Sequence, residues 1–356
     1  MVFRGRELVY EFISKTSGKG EPFRYNEPMI SMQPTDDREA WDEYVLENDG
    51  HPLQLWGWGQ TKAEHGWHAD RLFAYDMDKN IIGGAQVLIR KLPWPFKALV
   101  YVPRGPVVTA GQTSDFLIAL TNYAKSQYRG VVVSIEPDWV ELPKLPGGWH
   151  LSANTILIPE TLILDLTKSE DDLLAPMAKK TRQYIRKSSG EDTMTIRQVK
   201  SKEGIAKCLQ IYQETAKRAG FALHDDQYYY DVFANLSDNS PVFAAYVDNE
   251  PIAFVWLAIS AKTAFELYGG MNDTGQELRA NYALKWHAIR KTREWGIERY
   301  DMNGLVSDGV SNFKRGFADH EDKLIGTYDR PLSPLYTVWT KVLPLGKKIV
   351  RTIKRK

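Results

Sequence analysis

The sequence predicts an α/β (α+β) protein of two units with one plan, each a mixed sheet flanked by helices. Three observations predict it. The chain has 356 residues, enough for two domains of ordinary size. Apolar runs of strand length alternate with longer segments of helical period. And one hairpin pattern occurs twice, AYDMDKNIIGGAQVLI at 74–89 and AAYVDNEPIAFVWLAI at 244–259, with Asp78 and Asp248 in matching turns.

Residues 1–27 are polar and hold charges where a secretory signal needs an apolar core, so they read as an extension. Asp36–Asn48 reads as a helix with Trp41, Tyr44 and Val45 on one face. The segment HPLQLWGWGQTKAEHGW then places Gln54, Trp56, Trp58, Lys62 and Trp67 together and enters a helix near Gly59. Strands follow at 71–75, 81–89 and 98–102, then a Pro-Arg-Gly-Pro turn that breaks a sheet edge. A helix over 113–128 and a buried strand over 130–136 complete the first unit.

The same order returns: helix 202–219, hairpin 241–247 and 252–259, strand 263–268, helix 282–296, strand 299–302. Two such units are what a tandem acyltransferase fold of the GNAT type would look like. Between them, Leu173–Ser189 reads as one helix carrying Lys179, Lys180, Arg182, Arg186 and Lys187 without an acid among them. That run suits a solvated face or a phosphodiester backbone. Tyr230–Pro241 reads as linker.

Composition narrows the class. With 43% hydrophobic and 26% charged residues, the chain belongs among soluble globular proteins. No run approaches the roughly 20 apolar residues that cross a bilayer. One cysteine, Cys208, excludes a disulfide framework and a multi-Cys zinc site, and its helical surroundings make it a buried core thiol. A cytoplasmic location is the expectation. The seven histidines are scattered, so no metal is expected, and no P-loop or dinucleotide fingerprint calls for a cofactor.

Net charge is +1, yet the last sixteen residues hold Lys341, Lys347, Lys348, Arg351, Lys354, Arg355 and Lys356 with no acid. Val342, Leu345, Ile349, Val350 and Ile353 recur at helical spacing among them. The tail reads as a basic amphipathic helix for an anionic membrane surface or RNA, or else as a frayed terminus.

The stretch from Asn303 to Pro331 carries Phe313-Lys314-Arg315-Gly316-Phe317, a cation bracketed by aromatics. It suits a place where backbone and charge meet a substrate, and equally a surface loop with hydrophobic anchors.

Five segments in register now resemble the FemABX family of non-ribosomal peptidyl transferases: Gln54–Trp67, MAKKTRQYIRKS, ETAKRAGFALHDDQYYYDVF, NYALKWHAI and SNFKRGFADHEDKLIGTYDRPLSPLY. The resemblance implies two GNAT-like domains, at 28–156 plus 327–356 and at 157–326. The long antiparallel helical (coiled-coil) arm of some members is expected to be missing. It also implies transfer of an amino acid from aminoacyl-tRNA to the stem peptide of a peptidoglycan precursor, forming an interpeptide bridge. Lipid II is favoured over UDP-MurNAc-pentapeptide, with the tail making peripheral contact at the inner face of the plasma membrane.

By the same resemblance Lys314 is the catalytic cation, with Phe313 shaping its surroundings. Lys62 and Arg218 grip the precursor's diphosphate, and Tyr268 donates a hydroxyl to it. The basic helix of Lys179, Lys180, Arg182, Arg186 and Lys187 faces tRNA. Ester aminolysis needs no covalent enzyme intermediate, only positioning and charge at the oxyanion. Three alternatives stay open. An acetyl-CoA-dependent N-acetyltransferase needs small residues where RANYAL has Tyr282 and Leu284. A tRNA-dependent protein aminoacyltransferase would use another acceptor. A non-catalytic RNA- or membrane-binding adaptor would not need Lys314.

Overall fold

Two large sheets, built in the same order, organise the protein. The computed structural model describes residues 30–305, 309–342 and 344. The N-terminal extension and the tail beyond 344 therefore lie outside the described residues. The first unit runs β1 (Ser31–Pro34), α1 (Arg38–Glu47), a 3-10 turn at Pro52–Gln54, α2 (Trp56–Glu64), β2 (His68–Tyr75), β3 (Ile81–Lys91), β4 (Ala98–Pro103), β5 (Val107–Val108), α3 (Thr113–Gln127), β6 (Val132–Glu136) and β7 (His150–Leu151). The second runs β8 (Glu160–Thr161), β9 (Ile163–Asp165), α4 (Glu170–Leu174), α5 (Lys179–Ser189), β10 (Thr195–Val199), α6 (Lys202–Ala219), α7 (Asp226–Leu236), β11 (Val242–Val247) and β12 (Glu250–Ile259). It continues through β13 (Thr263–Met271), α8 (Asp273–Glu277), α9 (Ala280–Glu294), β14 (Arg299–Asp301), α10 (Gly309–Arg315) and β15 (Asp322–Lys323) before β16 (Tyr328–Pro331).

The first sheet has the order β1-β2-β3-β4-β6-β16-β7, the second β10-β11-β12-β13-β14-β9. In each, three antiparallel pairings lead to one parallel pair, β4 with β6 and β13 with β14, and then to an antiparallel strand. The repeated hairpin is therefore one part of a repeated sheet. Both copies carry a bulge beside the turn, at Ala74/Tyr75 and at Ala245/Tyr246. The final antiparallel strand comes from a different place in each copy: β9 precedes its sheet in sequence, whereas β16 returns from the far end of the chain.

Local chemistry explains the main elements. Asp37 caps α1 by accepting from the Ala40 amide, and Trp41 and Val45, four apart, are fully buried. Ser201 caps α6, whose buried Ile205, Cys208, Leu209, Ile211 and Ala216 form one stripe, and Gly220 ends it in the left-handed conformation. Cys208 is inside the core, and burial pushes its thiol up to about 12, so it is inert.

Several sequence expectations change. Leu173–Ser189 is two helices, because Pro176 interrupts the run between α4 and α5. Tyr230–Pro241 begins inside a helix: Asp225 caps α7, which buries Tyr228, Tyr229, Val232 and Leu236. The cation at 314 sits on a helix, α10, not in a loop. Strands β1, β8, β9 and β10 carried too few residues to show a period. The longest helix among the described residues is α6, and no pair of them forms a projecting arm.

The units meet through one apolar core and one polar node. Trp41, Leu53, Trp58 and Phe73 of the first pack with Leu209, Tyr228, Trp256 and Phe265 of the second. Helices α2 and α7 cross closely at Gly57, where an added Cβ would lie 2.2 Å from the Asn235 carbonyl oxygen. At the node, Arg299 of β14 forks onto Asp138, the bond from Nη2 being 3.0 Å. No described helix is long and apolar enough to cross a membrane.

Candidate active site

The parallel pair β13–β14 covers only Thr263–Phe265 against Arg299–Asp301. Beyond it β13 runs on to Met271, still paired with β12, while the chain after Asp301 turns away. The freed edge of β13 opens a pocket of about 390 Å³, closed by α6, α9 and α10. It lies within the second unit.

Lys314 and Phe313 stand on its wall. The Lys314 ammonium donates to the carbonyl oxygens of Asn303 at 2.8 Å and Gly304 at 3.2 Å. Asn303 is itself tied down: its backbone is left-handed (φ 58°), and its side chain donates to the Glu266 carbonyl at 3.0 Å. Its amide donates to Asp301 Oδ1 at 2.7 Å. Phe313 packs edge-on against Tyr282 and Phe317, with ring centroids 4.9 and 5.2 Å away.

Arg218 and Tyr268 line the same pocket. Arg218, in the last turn of α6, donates to the Met271 carbonyl at 2.7 Å and leaves much of its guanidinium exposed. Tyr268 is hydrogen-bonded to Tyr228, and burial raises its hydroxyl well above the ordinary value. Lys62 does not enter the pocket. It reaches the same tyrosines from the first unit, donating to Tyr228 Oη at 2.6 Å beneath the Trp58 ring. Burial, reinforced by Arg90, lowers its pKa to about 8.

Of the basic helix, Lys179, Lys180, Arg186 and Lys187 are exposed on α5. Arg182 differs: its guanidinium turns back onto the carbonyls of Ala175 and Met177, closing the end of α4. The start of α5 touches the aromatic-cation segment directly, since the Ala178 amide donates to the Gly316 carbonyl.

Sequence reasoning assigned no role to Glu266, Lys285 or Asn303. Glu266 and Lys285 form a buried ion pair in the pocket wall. Nothing in the sequence joins two such residues on different elements. Tyr228 and Tyr229 had a visible signal, the YYY run at 228–230, but no assigned role.

His51, Asp138 and Asp301 bring ligand atoms within 4.8 Å of one another at the node between the units. The donor set does not suit a cation. His51 Nδ1 accepts from the Leu53 amide at 3.1 Å, so the neutral ring carries its proton on Nε2. Arg299 and the buried Arg104 supply the positive charge there.

The paired mixed sheets and the pocket at a parted parallel pair define an acyltransferase of tandem GNAT construction. A family model described as "FemAB family" matches residues 37–145, and one described as "Acetyltransferase (GNAT) domain" matches 176–315. A lipid II:glycine glycyltransferase of Staphylococcus aureus (strain MRSA252) is 25% identical, over 88% of this chain and 97% of its own length. That alignment spans 415 residues, more than this chain has, so the relative carries segments without a counterpart here. A crystal structure of FemX superposes with a TM-score of 0.76 at 20% identity, over 87% of this chain and all of the other. A tandem GNAT protein from the clavulanic acid biosynthesis pathway gives 0.51 at 9% identity, over 86% and 99%. By these matches the chain resembles the FemABX family in sequence and in fold.

Proposed function

We propose that the protein moves an amino acid from aminoacyl-tRNA to the stem peptide of a peptidoglycan precursor, building an interpeptide bridge. The observation that carries this reading is the Lys314 ammonium, oriented by two carbonyls on the wall of the β13–β14 pocket. The precursor's neutral amine attacks the ester carbonyl, and the carbonyl oxygen becomes an oxyanion facing Lys314. The tetrahedral species then collapses. The C–O bond to the ribose breaks, the nitrogen loses a proton, and the departing ribose oxygen gains one. Lys314 supplies charge at the oxyanion, while Phe313 holds the segment through its aromatic contacts.

Arg218 is the diphosphate ligand of this reading from inside the pocket, with Tyr268 beside it. Lys62 joins them from the first unit through Tyr228. Lys179, Lys180, Arg186 and Lys187 form the tRNA face, and Arg182 braces it. The two-domain division, 28–156 with 327–356 and 157–326, is supported by sheet membership, since β16 pairs with β6 and β7. The lipid-linked acceptor is favoured by the activity for which the staphylococcal relative is named and by the basic tail. Peripheral attachment through the tail belongs to the same proposal.

The acetyl-CoA alternative gains nothing at the start of α9. Tyr282 packs there on Tyr184 and Phe313, and Leu284 is buried. The test supplies tRNA charged with labelled glycine, alanine or serine to lipid-linked and nucleotide-linked precursors. Transfer to either, abolished in Lys314→Ala, supports the reading. Acetyl transfer from acetyl-CoA, or no transfer from any charged tRNA, overturns it.

A further inference from the structure

Trp94 stands 92% exposed at the tip of the β3–β4 hairpin. The tip is a fixed turn: the Leu92 amide donates to the Lys97 carbonyl at 2.8 Å, and the Phe96 amide to Pro93 at 3.0 Å. Phe96 points inward and packs on Trp339, ring centroids 5.4 Å apart, within a small core that includes Val131 and Val132. The turn is thus anchored from below while its indole is held out in water. A lone exposed leucine needs no explanation, but a tryptophan presented this way does.

Cations surround it. Beside the tip, a cleft of about 320 Å³ is lined by Lys97, Lys125 and Arg129, among others. Lys91 is exposed at the end of β3. Residues 90–98, 121–131 and 332–342, which build this face, include no Asp or Glu. Helical residues 336–342, fastened by Trp339, add exposed Val338, Val342 and Lys341. The face therefore combines a protruding indole, exposed valines and clustered cations, while the carboxylates adjoining it, Asp70 and Asp329, accept from Tyr128 and Tyr336.

We propose that this face docks on an anionic lipid bilayer. Trp94 enters the headgroup region, where an amphipathic ring is at home, and Lys97, Lys125 and Arg129 hold lipid phosphates. Cations with an aromatic also suit single-stranded nucleic acid. Exposed Val338 and Val342 favour lipid, because they gain nothing from a polyanion and belong at an apolar–polar boundary. The docking surface lies within the folded first unit and does not depend on the basic tail.

The experiment is co-sedimentation of the full chain with phosphatidylcholine vesicles, with and without phosphatidylglycerol. The variants are Trp94→Ala, the triple Lys97→Glu/Lys125→Glu/Arg129→Glu, and a chain lacking residues 345–356, with thermal melts confirming that each is folded. The expected result is binding to the anionic vesicles alone. Trp94→Ala weakens it several-fold and the triple variant at least tenfold, both also in the chain without its tail. Brominated lipid quenches the fluorescence of the intact chain, and Trp94→Phe loses that quenching. Unchanged partitioning of the folded variants, equal binding to neutral vesicles, or cations that bind tRNA while Trp94 stays unquenched would overturn the proposal. Transfer to a water-soluble precursor is unaffected in Trp94→Ala, so failure of docking and failure of the proposed chemistry are read separately.

Discussion

Asn303 holds Lys314 in place more firmly than eleven residues of separation suggest. Its carbonyl accepts the ammonium, its side chain is bonded to the Glu266 carbonyl, and its own Gly304 amide donates to its side-chain oxygen at 2.8 Å. Removing the cation itself, Lys314→Ala, should lower kcat about 10²–10³-fold, as loss of one oxyanion donor does. Asn303→Gly keeps the left-handed backbone but loses the tether. Its expected effect is about a tenfold fall in kcat with KM little changed, measured by steady-state transfer. Lys62 supplies a pH test. With its pKa lowered to about 8, it loses its charge as pH rises through that value, so affinity for the precursor's diphosphate should fall above pH 8. Lys62→Arg should extend binding to higher pH, and an unchanged calorimetric pH profile would remove Lys62 from the anion site. Phe313, Lys314 and Arg218 drew notice in the sequence because they sit inside segments that carry the resemblance, whereas Tyr268 lies outside all five. Glu266 and Lys285 were not, because a pair on a strand and a helix has no sequence spacing to read.

Helices α2 and α7 show what an element contributes beyond its own stability. Gly57 leaves room for the Asn235 carbonyl, and Lys62, one turn on, meets Tyr228 across that contact. Gly57→Ala should push the helices apart and weaken precursor binding, with a stability loss of about 1–3 kcal/mol from overpacking in a denaturant titration. Long elements such as α6, with its helical period, and β12, with its unbroken apolar run, were legible from the sequence. Strands β8 and β9 were not, since two or three residues cannot establish a period. Their pairing depends on β15 and β14, which lie more than 130 residues away. The break between α4 and α5 was legible at Pro176, and the cluster of cations hid it.

At the scale of the whole molecule, the Arg299–Asp138 pair fastens the second unit to the first. Burial alone would raise the Asp138 carboxyl, but the Arg299 guanidinium, joined by His51 once that ring is protonated in acid, holds it at about 2. A carboxylate depressed below 3.8 contributes stability that is fully present above that pH and is lost as pH falls through about 2. Acid unfolding of the paired units should therefore begin as pH falls below about 6.5, where burial keeps His51 neutral by lowering its pKa to about 3, and the loss from Asp138 adds to it between about pH 4 and pH 2. Arg299→Ala leaves a buried carboxylate unpaired, and should cost about 3–5 kcal/mol in a denaturant titration at neutral pH. It should also shift the acid transition upward.

The plan of two matched units was written in the sequence, because a repeated apolar hairpin and repeated helical periods are local patterns that any chain of this length must bury. The aromatic-cation segment around Lys314 was written there too. Only the tertiary structure decided where the pocket opens, for that follows from a three-residue parallel pairing and the point where β13 outruns its neighbour. It alone decided that Lys62 reaches Tyr228 across the units, and that Trp94 is held outward while Phe96 turns in. Pairing partners far apart in the chain are chosen by burial and hydrogen bonding in three dimensions, and no local pattern of residues records that choice.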